Sequence, residues 1–176
     1  MKVLVLLTGL LFMPQSEQIG GVSVEKIRTP NKELRFSVVV PARVDDVWEA
    51  FSTTHGLKTW LWSDVHVDLR PGGDWLVLYP GGKTGGGTIV SFVPKKQITI
   101  RAMAPEAYPT VRSERTTAVF AFEPISGSTT KVTLSQTGWK EGKEWDDAYE
   151  YLAKGNAQLL GQLKSRFEKG PASWPK

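Results

Sequence analysis

The longest regular pattern of apolar and polar positions lies near the C-terminus of the chain. Apolar residues recur there at spacings of three, four and seven, as they do along one stripe of an α-helix. They are Trp145, Tyr149, Leu152, Leu159, Leu160, Leu163 and Phe167. Gly170 and Pro171 follow and end the pattern, which leaves Trp174 beyond the helix. The pattern predicts a long amphipathic helix that covers a large apolar surface.

A second, shorter helix is predicted from Val44 to Ser52. Val44, Val47, Trp48 and Phe51 fall at positions i, i+3, i+4 and i+7, directly after a proline. The segment that follows reads as a turn with one more helical turn. This helix is expected to present its apolar face to the same core as the long helix.

Most of the remaining chain alternates between apolar and polar residues, as β-strands do. The predicted strands are residues 34–40, 64–69, 75–79, 88–93, 98–103, 116–122 and 131–136. Short turns separate most of them, and a flexible glycine-rich loop is expected at residues 81–87. Closely spaced strands of this kind form an antiparallel meander. The predicted fold class is α+β, with a curved antiparallel sheet wrapped around the long C-terminal helix.

The N-terminus carries an apolar run from Val3 to Met13 behind a single positive charge at Lys2. It is shorter than the roughly 20 apolar residues that a membrane-spanning helix needs. The pattern resembles a secretory signal peptide that is cleaved after Ser16 or Gly21, and the alternatives are a buried first strand or a misassigned start. The predicted division is a signal peptide at 1–21, a lead-in at 22–33, a domain at 34–169 and a tail at 170–176.

These boundaries carry an expectation about location. A cleaved signal peptide would make the protein secreted or periplasmic and leave no integral membrane segment in the mature chain, whereas an uncleaved chain would be cytoplasmic.

Composition narrows the possible functions. The chain has 176 residues, of which 40% are hydrophobic and 23% charged, and this fits a single domain with a real core. Lys and Arg total 22 against 18 Asp and Glu, but the two signs alternate after Trp145, so we expect no nucleic-acid partner. There is no cysteine, which excludes thiolate catalysis, disulfides and zinc–thiolate sites.

Few residues offer catalytic chemistry. Asp64, His66 and Asp68 share one strand face and could hold a divalent metal, but alternation with apolar partners favours a solvent-facing row. His55 is the other histidine, and neither histidine stands in the context of a hydrolase triad. The Gly-Lys-Thr at 82–84 lacks the earlier glycine that a phosphate-binding loop requires. We expect no metal, no cofactor and no catalytic set.

Several segments carry a resemblance to a known family. They are FSVVVPARVDDVWEAF at 36–51, LKTW at 57–60, DLRPGGDW at 68–75, GTIVSFVP at 87–94 and TKVTLSQTGW at 130–139. In this order and spacing they resemble the activator of Hsp90 ATPase homologue 1-like (AHSA1-like) branch of the START-like, or SRPBCC, superfamily. The resemblance implies a helix-grip fold with an apolar cavity between the sheet and the C-terminal helix. Members bind lipids, sterols, polyketides or plant hormones, some are cyclases, and the namesake stimulates a cytosolic chaperone.

Aromatic residues supply the candidate ligand site. The chain has seven tryptophans, more than a core of this size needs, and the resemblance places several near the cavity. Arg101 would serve a polar head group if it faced inward, and its pairing with Glu114 is a further expectation. The predicted ligand-binding residues are Trp60, Trp75, Val77, Tyr79, Arg101, Phe120, Phe122, Trp145 and Tyr149.

The leading hypothesis is a non-catalytic domain that binds a small hydrophobic or amphipathic molecule in this cavity. One alternative is an enzyme similar to polyketide cyclases and aromatases, in which Tyr79, Tyr108 or Arg101 moves protons. The other is a co-chaperone-like interaction module, against which an exported N-terminus would count. The sequence identifies no protein partner.

Overall fold

The computed structural model describes residues 15–174 and confirms the predicted fold class. Within this range the chain forms nine strands and four helices. The strands are β1 (Gln15–Ile19), β2 (Val22–Ile27), β3 (Glu33–Val40), β4 (Val65–Val67), β5 (Asp74–Tyr79), β6 (Lys83–Val93), β7 (Gln97–Ala102), β8 (Thr116–Ser126) and β9 (Thr129–Thr137). The helices are α1 (Val44–Ser52), α2 (Thr54–Lys58), α3 (Pro109–Glu114) and α4 (Lys143–Lys169).

All nine strands belong to one antiparallel sheet, in the order β1-β2-β3-β9-β8-β7-β6-β5-β4. Each neighbouring pair is consecutive in the chain except β3 and β9. Helices α1 and α2 therefore connect β3, inside the sheet, to β4 at the far edge. Register shifts in β6 and β8 mark irregularities of the kind that bend strands.

Helix α4 is the predicted long helix, and it packs on β2 and β3. Trp145, Tyr149, Leu160 and Leu163 of the predicted stripe are buried. The buried face also contains three alanines outside the predicted stripe, namely Ala148, Ala153 and Ala157. Leu152, Leu159 and Phe167 are only partly buried. Small side chains let the helix approach the sheet closely, which leaves less room between the two than large side chains would.

Two tryptophan side chains fix the end of α1. The last four carbonyl groups of a helix have no partner within the helix and must find one elsewhere. The indole nitrogen of Trp60 donates to the Ala50 carbonyl at 2.8 Å, and that of Trp75 donates to the Phe51 carbonyl at 3.0 Å. Both rings are buried, so each indole supplies a hydrogen bond that water could not reach to one carbonyl group at the end of α1.

The lead-in predicted at 22–33 is largely β-structure. Residues 22–27 form β2, which pairs with β3 on one side and with β1 on the other. Val22 and Val24 of β2 are buried, so the segment contributes to the core. The apolar run from Val3 to Met13 lies outside the described residues, whereas β1 lies inside the predicted signal peptide.

The prediction of a flexible glycine-rich loop at 81–87 is wrong for its second half. Gly81 and Gly82 form the turn, but residues 85–87 belong to β6. A Cβ on Gly86 would lie 2.0 Å from the Trp75 carbonyl oxygen, and one on Gly87 would lie 2.2 Å from the Arg101 carbonyl oxygen. Glycine is therefore required at these positions because neighbouring strands approach closely, and not because the segment is a flexible loop.

Two other features were not expected. The short helix α3 begins at Pro109, and residues 170–174 return to α2 instead of leaving the domain. The Ala172 amide donates to the Thr59 carbonyl at 2.8 Å, and the Trp174 indole donates to the Lys58 carbonyl at 2.7 Å. The last residues thus cover the end of α2. Within residues 15–174, no helix has both the length and the apolar character needed to cross a bilayer.

Candidate functional site

An open groove of about 610 Å³ runs along the outer side of α4. Tyr108, which immediately precedes α3, forms one wall, and α4 supplies the rest. The α4 residues that line it are Asp147, Glu150, Tyr151, Lys154, Gly155 and Gln158. This groove therefore combines aromatic rings, charged groups and an open stretch of helix.

Helix α4 itself holds α3, and with it Tyr108, in place. The Glu144 carboxylate accepts hydrogen bonds from the Thr110 amide at 2.7 Å, the Thr110 hydroxyl at 2.8 Å and the Val111 amide at 3.1 Å. Burial opposes the charge of Glu144, but these bonds hold the pKa of its carboxyl below the usual range. A carboxylate from the first turn of α4 thus caps the first turn of α3.

Arg112 ties the same loop to the sheet. Its guanidinium donates to the Ala104 carbonyl at 2.6 Å, to the Thr84 carbonyl at 3.0 Å and to the Thr84 hydroxyl at 2.6 Å. The start of β6 and the loop that leads to Tyr108 are therefore joined by one side chain. This arrangement gives the wall of the groove a fixed position.

The apolar part of the groove consists of two tyrosines. The rings of Tyr108 and Tyr151 are 5.7 Å apart and tilted by 56°. Tyr151 is 53% exposed, so its ring offers apolar surface to the groove. Gly155 lies one turn further along the same face of α4, and a Cβ placed there would meet no atom of the described residues within 4 Å. Open space therefore extends from Tyr151 along the helix.

The charged part of the groove consists of one basic residue, Lys154, and two acidic residues, Asp147 and Glu150. Asp147 pairs with Lys143 at 2.6 Å, and Glu150 pairs with Lys26 and Arg28 of the β2 region. Burial raises the pKa of the Glu150 carboxyl, but the two cations outweigh this and hold it below the usual range. Within residues 15–174, Lys154 forms no ion pair. Its ammonium group is the cation in the groove that can serve a ligand.

Most of the predicted ligand-binding residues lie elsewhere, in an aromatic cluster around Phe51 of α1. Its ring centroid is 4.9 Å from that of Trp60, 5.1 Å from that of Phe120 and 5.0 Å from that of Phe122. Trp75 joins the cluster through Phe120 at 5.5 Å. These rings and Val77 are at most 4% exposed. The structure thus places five predicted residues in the core, and the four aromatic ones contact one another or α1.

Trp145 and Tyr149 form a second cluster with Trp139 at the start of α4. The ring of Trp139 lies 5.1 Å from that of Tyr149 and 6.4 Å from that of Trp145. The Tyr149 hydroxyl lies 2.9 Å from the Glu33 carbonyl oxygen and donates to it. Burial raises the pKa of Tyr149 to about 12. The hydrogen bond from Tyr149 to Glu33 therefore anchors α4 to β3.

Tyr79 and Arg101 are the exposed members of the predicted set. The ring of Tyr79 lies 5.6 Å from that of Trp62, and the ring of Trp62 lies 5.3 Å from that of Trp174, so Trp62 stands between the tail and Tyr79. Burial, followed by the proximity of Tyr151, raises the pKa of Tyr79. Arg101 faces solvent and donates to the Glu114 carbonyl at 2.9 Å.

Arg101 contacts Glu114, but no ion pair joins their side chains within residues 15–174. Arg101 reaches the main chain of Glu114, whereas the Glu114 carboxylate pairs with Lys140. The next residue, Arg115, has a φ of 66°, and the chain turns there from α3 into β8.

None of the predicted ligand-binding residues lines the groove along α4. Sequence reasoning named Tyr108 as a proton-transfer candidate but passed over Tyr151, Lys154 and Gly155 as ligand contacts. A signal was present, because Tyr151 is an aromatic residue outside the apolar stripe of its helix and a glycine follows four positions later.

The row of Asp64, His66 and Asp68 is not assembled into a site. His66 is exposed, and Asp68 pairs with Arg70 at 2.7 Å. Across residues 15–174, no three His, Asp or Glu side chains are grouped so that they could hold a metal ion.

Comparison with known proteins supports the fold and places the chain in a family. Residues 41–168, more than half of the chain, match the sequence profile described as activator of Hsp90 ATPase homolog 1-like protein. A search of curated proteins found no match.

Several solved structures share the fold. The solution structure of the Aha1 dimer from Colwellia psychrerythraea has a TM-score of 0.65 and 20% identity over 80% of this chain and 98% of that chain. CalU16 from Micromonospora echinospora has a TM-score of 0.61 and 19% identity over 90% of this chain and 86% of that chain. DynU16, from the dynemicin biosynthetic locus, has a TM-score of 0.62 and 19% identity over 81% of this chain and 49% of that chain. The structural likeness and the profile match agree with the resemblance first drawn from the sequence, and the chain belongs to the activator of Hsp90 ATPase homolog 1-like family.

Proposed function

We propose that the protein binds a small amphipathic molecule in the groove between Tyr108 and α4. The observation that carries the proposal is the groove itself, an open volume of about 610 Å³ lined by two tyrosines and by Lys154. Small-molecule sites in proteins are typically about 300–1,000 Å³ and combine apolar walls with a few polar groups. The volume of the groove falls within this range, and its two tyrosines supply the apolar surface.

The tyrosines are suited to the apolar body of the ligand. Tyr108 and Tyr151 present rings at an angle, and a planar or branched group could pack against both. Tyr151 is 53% exposed, so a ligand there would remove apolar surface from water. The groove would thereby contribute hydrophobic free energy to binding.

Lys154 is suited to the polar end of the ligand. Asp147 and Glu150 already have basic partners, whereas the Lys154 ammonium has no ion-pair partner within the described residues. An anionic or hydrogen-bond-accepting group on the ligand would therefore be favoured over a cationic one. The proposed ligand class is an aromatic or other apolar body that bears an acidic or strongly accepting group.

The comparisons give limited support to a small-molecule role. DynU16, which shares the fold, is described as a protein in the dynemicin biosynthetic locus. A domain of this shape thus belongs to a biosynthetic locus, which is compatible with binding of a small molecule here.

Gly155 allows a direct test, because its missing side chain keeps the groove open. Gly155→Phe would fill the groove from α4 without displacing any described atom near its Cβ. Gly161→Phe is the matched control, since Gly161 lies on the same helix, also has open space around it and does not line the groove. The probe is 8-anilino-1-naphthalenesulfonate, which joins aromatic rings to an anionic group. Its fluorescence titration reports affinity and stoichiometry.

We expect one saturable site in the natural protein and in Gly161→Phe. Gly155→Phe should weaken binding by at least about tenfold, a loss of about 1.4 kcal/mol. Lys154→Gln should weaken binding of this anionic probe, and Tyr151→Ala should do so as well. Equal affinity in both glycine variants, or titration without saturation, would refute binding in the groove.

A further inference from the structure

A second cavity of about 310 Å³ lies where α1 and α2 meet the last turns of α4. Asp46 and Glu49 of α1 and Arg166 and Phe167 of α4 are among its lining residues. It shares no lining residue with the groove beside Tyr108, so the two are separate cavities.

One donor of the Arg166 guanidinium group, Nε–H, has no acceptor in the described part of the protein. The guanidinium group lies 5.2 Å from the centre of the Phe167 ring, and within residues 15–174 its Nε atom is buried without a hydrogen-bond partner. A buried donor that lacks an acceptor is unfavourable, because it has lost water and gained nothing in return. Arginine binds carboxylates through paired N–H groups, so an anionic group in the cavity would supply the acceptor.

The α1 wall carries charge of the opposite sign. Asp46 and Glu49 are three positions apart on α1 and therefore share one face of the helix. Both line the cavity, both are exposed, and within residues 15–174 neither forms an ion pair with Arg166 or with any other basic group. The cation and the carboxylates thus face a common space without neutralising each other.

The wall formed by α1 and α2 is held rigidly. A Cβ on Gly56 would lie 2.1 Å from the Glu49 carbonyl oxygen, so α2 rests directly on the backbone of α1. The Thr53 hydroxyl accepts from the Gly56 amide at 2.9 Å and fixes the junction between the two helices. The backbone that carries the two carboxylates is therefore fixed, which lowers the cost of binding.

We propose that this cavity binds a small zwitterion with one carboxylate and one ammonium group, the chemistry of a free amino acid. The ligand carboxylate would pair with Arg166, and its ammonium group would be held by Glu49 and Asp46. A volume of about 310 Å³ suits a molecule of that size. The site is independent of the groove beside Tyr108, and either one can exist without the other.

The test uses nuclear magnetic resonance of the full chain labelled with ¹⁵N, titrated with L-alanine and L-leucine. Acetate and methylammonium, which each carry half of the proposed charge pattern, are titrated separately. The amino acids should cause saturable shifts in the amides of α1 and α2 and in the Nε–H resonance of Arg166. Each half-ligand should bind at least about tenfold more weakly than the better amino acid.

Charge-neutral variants separate a site from a general charge effect. Arg166→Gln and the nearly isosteric Glu49→Gln should each weaken amino-acid binding by at least about tenfold. Lys169→Gln removes the same charge from the same end of α4, outside the cavity, and should leave binding unchanged. Gly155→Phe, which fills the other groove, should also leave it unchanged.

Specific results would overturn the proposal. Acetate that binds as tightly as the amino acids would make this an anion site without selection for an ammonium group. The absence of saturable shifts with either amino acid would mean that the cavity holds only solvent. Equal behaviour of Arg166→Gln and Lys169→Gln would show that Arg166 has no specific part in binding.

Discussion

Neighbouring leucines on α4 allow a quantitative test of how the helix packs on the sheet. Leu160 and Leu163 are 0% exposed, whereas Leu159, adjacent in sequence to Leu160, is only partly buried. Replacing a fully buried leucine with alanine removes its transfer free energy and leaves a cavity, at a cost of about 2–5 kcal/mol. We therefore expect Leu160→Ala and Leu163→Ala to fall in that range.

Leu159→Ala should cost about 1 kcal/mol, because burying a whole leucine side chain contributes only about 1.5–3 kcal/mol and this one is partly in water already. Equilibrium unfolding in urea, followed by tryptophan fluorescence and by circular dichroism, measures all three free energies. The midpoint should shift while the slope with urea concentration stays constant. Equal losses at Leu159 and Leu160 would mean that α4 is rotated about its axis relative to the structure.

Three further predictions concern the backbone, the core and a titrating group. Gly161→Ala should stabilise the protein by about 0.5–1 kcal/mol in urea unfolding, because it removes a flexible residue from α4 and its Cβ meets open space. Gly86→Ala should destabilise it by more than about 1 kcal/mol, since Gly86 has a φ of 93° and an added Cβ would lie 2.0 Å from the Trp75 carbonyl oxygen. Equal effects of Gly161→Ala and Gly86→Ala would contradict this account. Trp75→Phe should lower the free energy of unfolding by about 1–3 kcal/mol, because the Phe51 carbonyl loses its indole donor, and an unchanged urea midpoint would show that the bond is dispensable. Burial raises the pKa of Tyr149 from 10.0 to about 12. Between these pH values the folded state keeps a proton that the unfolded state releases. The free energy of unfolding should therefore be constant below pH 10, as far as Tyr149 is concerned, and fall between pH 10 and about pH 12. Tyr149→Phe should flatten that part of the stability profile, and a profile identical to the natural protein would contradict the assignment.

The elements with strong local signals could be predicted from the sequence. Helices α1 and α4 have apolar residues at helical spacing, and the central strands alternate clearly. The glycines of β6 were misread because glycine usually marks a turn, whereas here strand spacing excludes a Cβ. That requirement comes from neighbouring strands, and no local pattern contains it.

The candidate site was harder to predict, because it depends on how elements meet. The buried face of α4 includes three alanines, which carry little hydrophobic signal, so the stripe of large residues did not fix the orientation of the helix. Tyr108 reaches the groove because Glu144 caps α3 across the structure. Trp60 and Trp75 were expected to line a cavity, but their indole groups complete the end of α1. Hydrogen bonds of this kind join residues that lie far apart in sequence.

The central claim is that a small amphipathic molecule binds between Tyr108 and α4. A crystal structure of the complex with 8-anilino-1-naphthalenesulfonate tests it most directly. The account predicts that the rings of the probe lie between Tyr108 and Tyr151, with the sulfonate within hydrogen-bonding distance of the Lys154 Nζ atom. A probe found instead among the aromatic rings around Phe51, or outside the groove altogether, would contradict it.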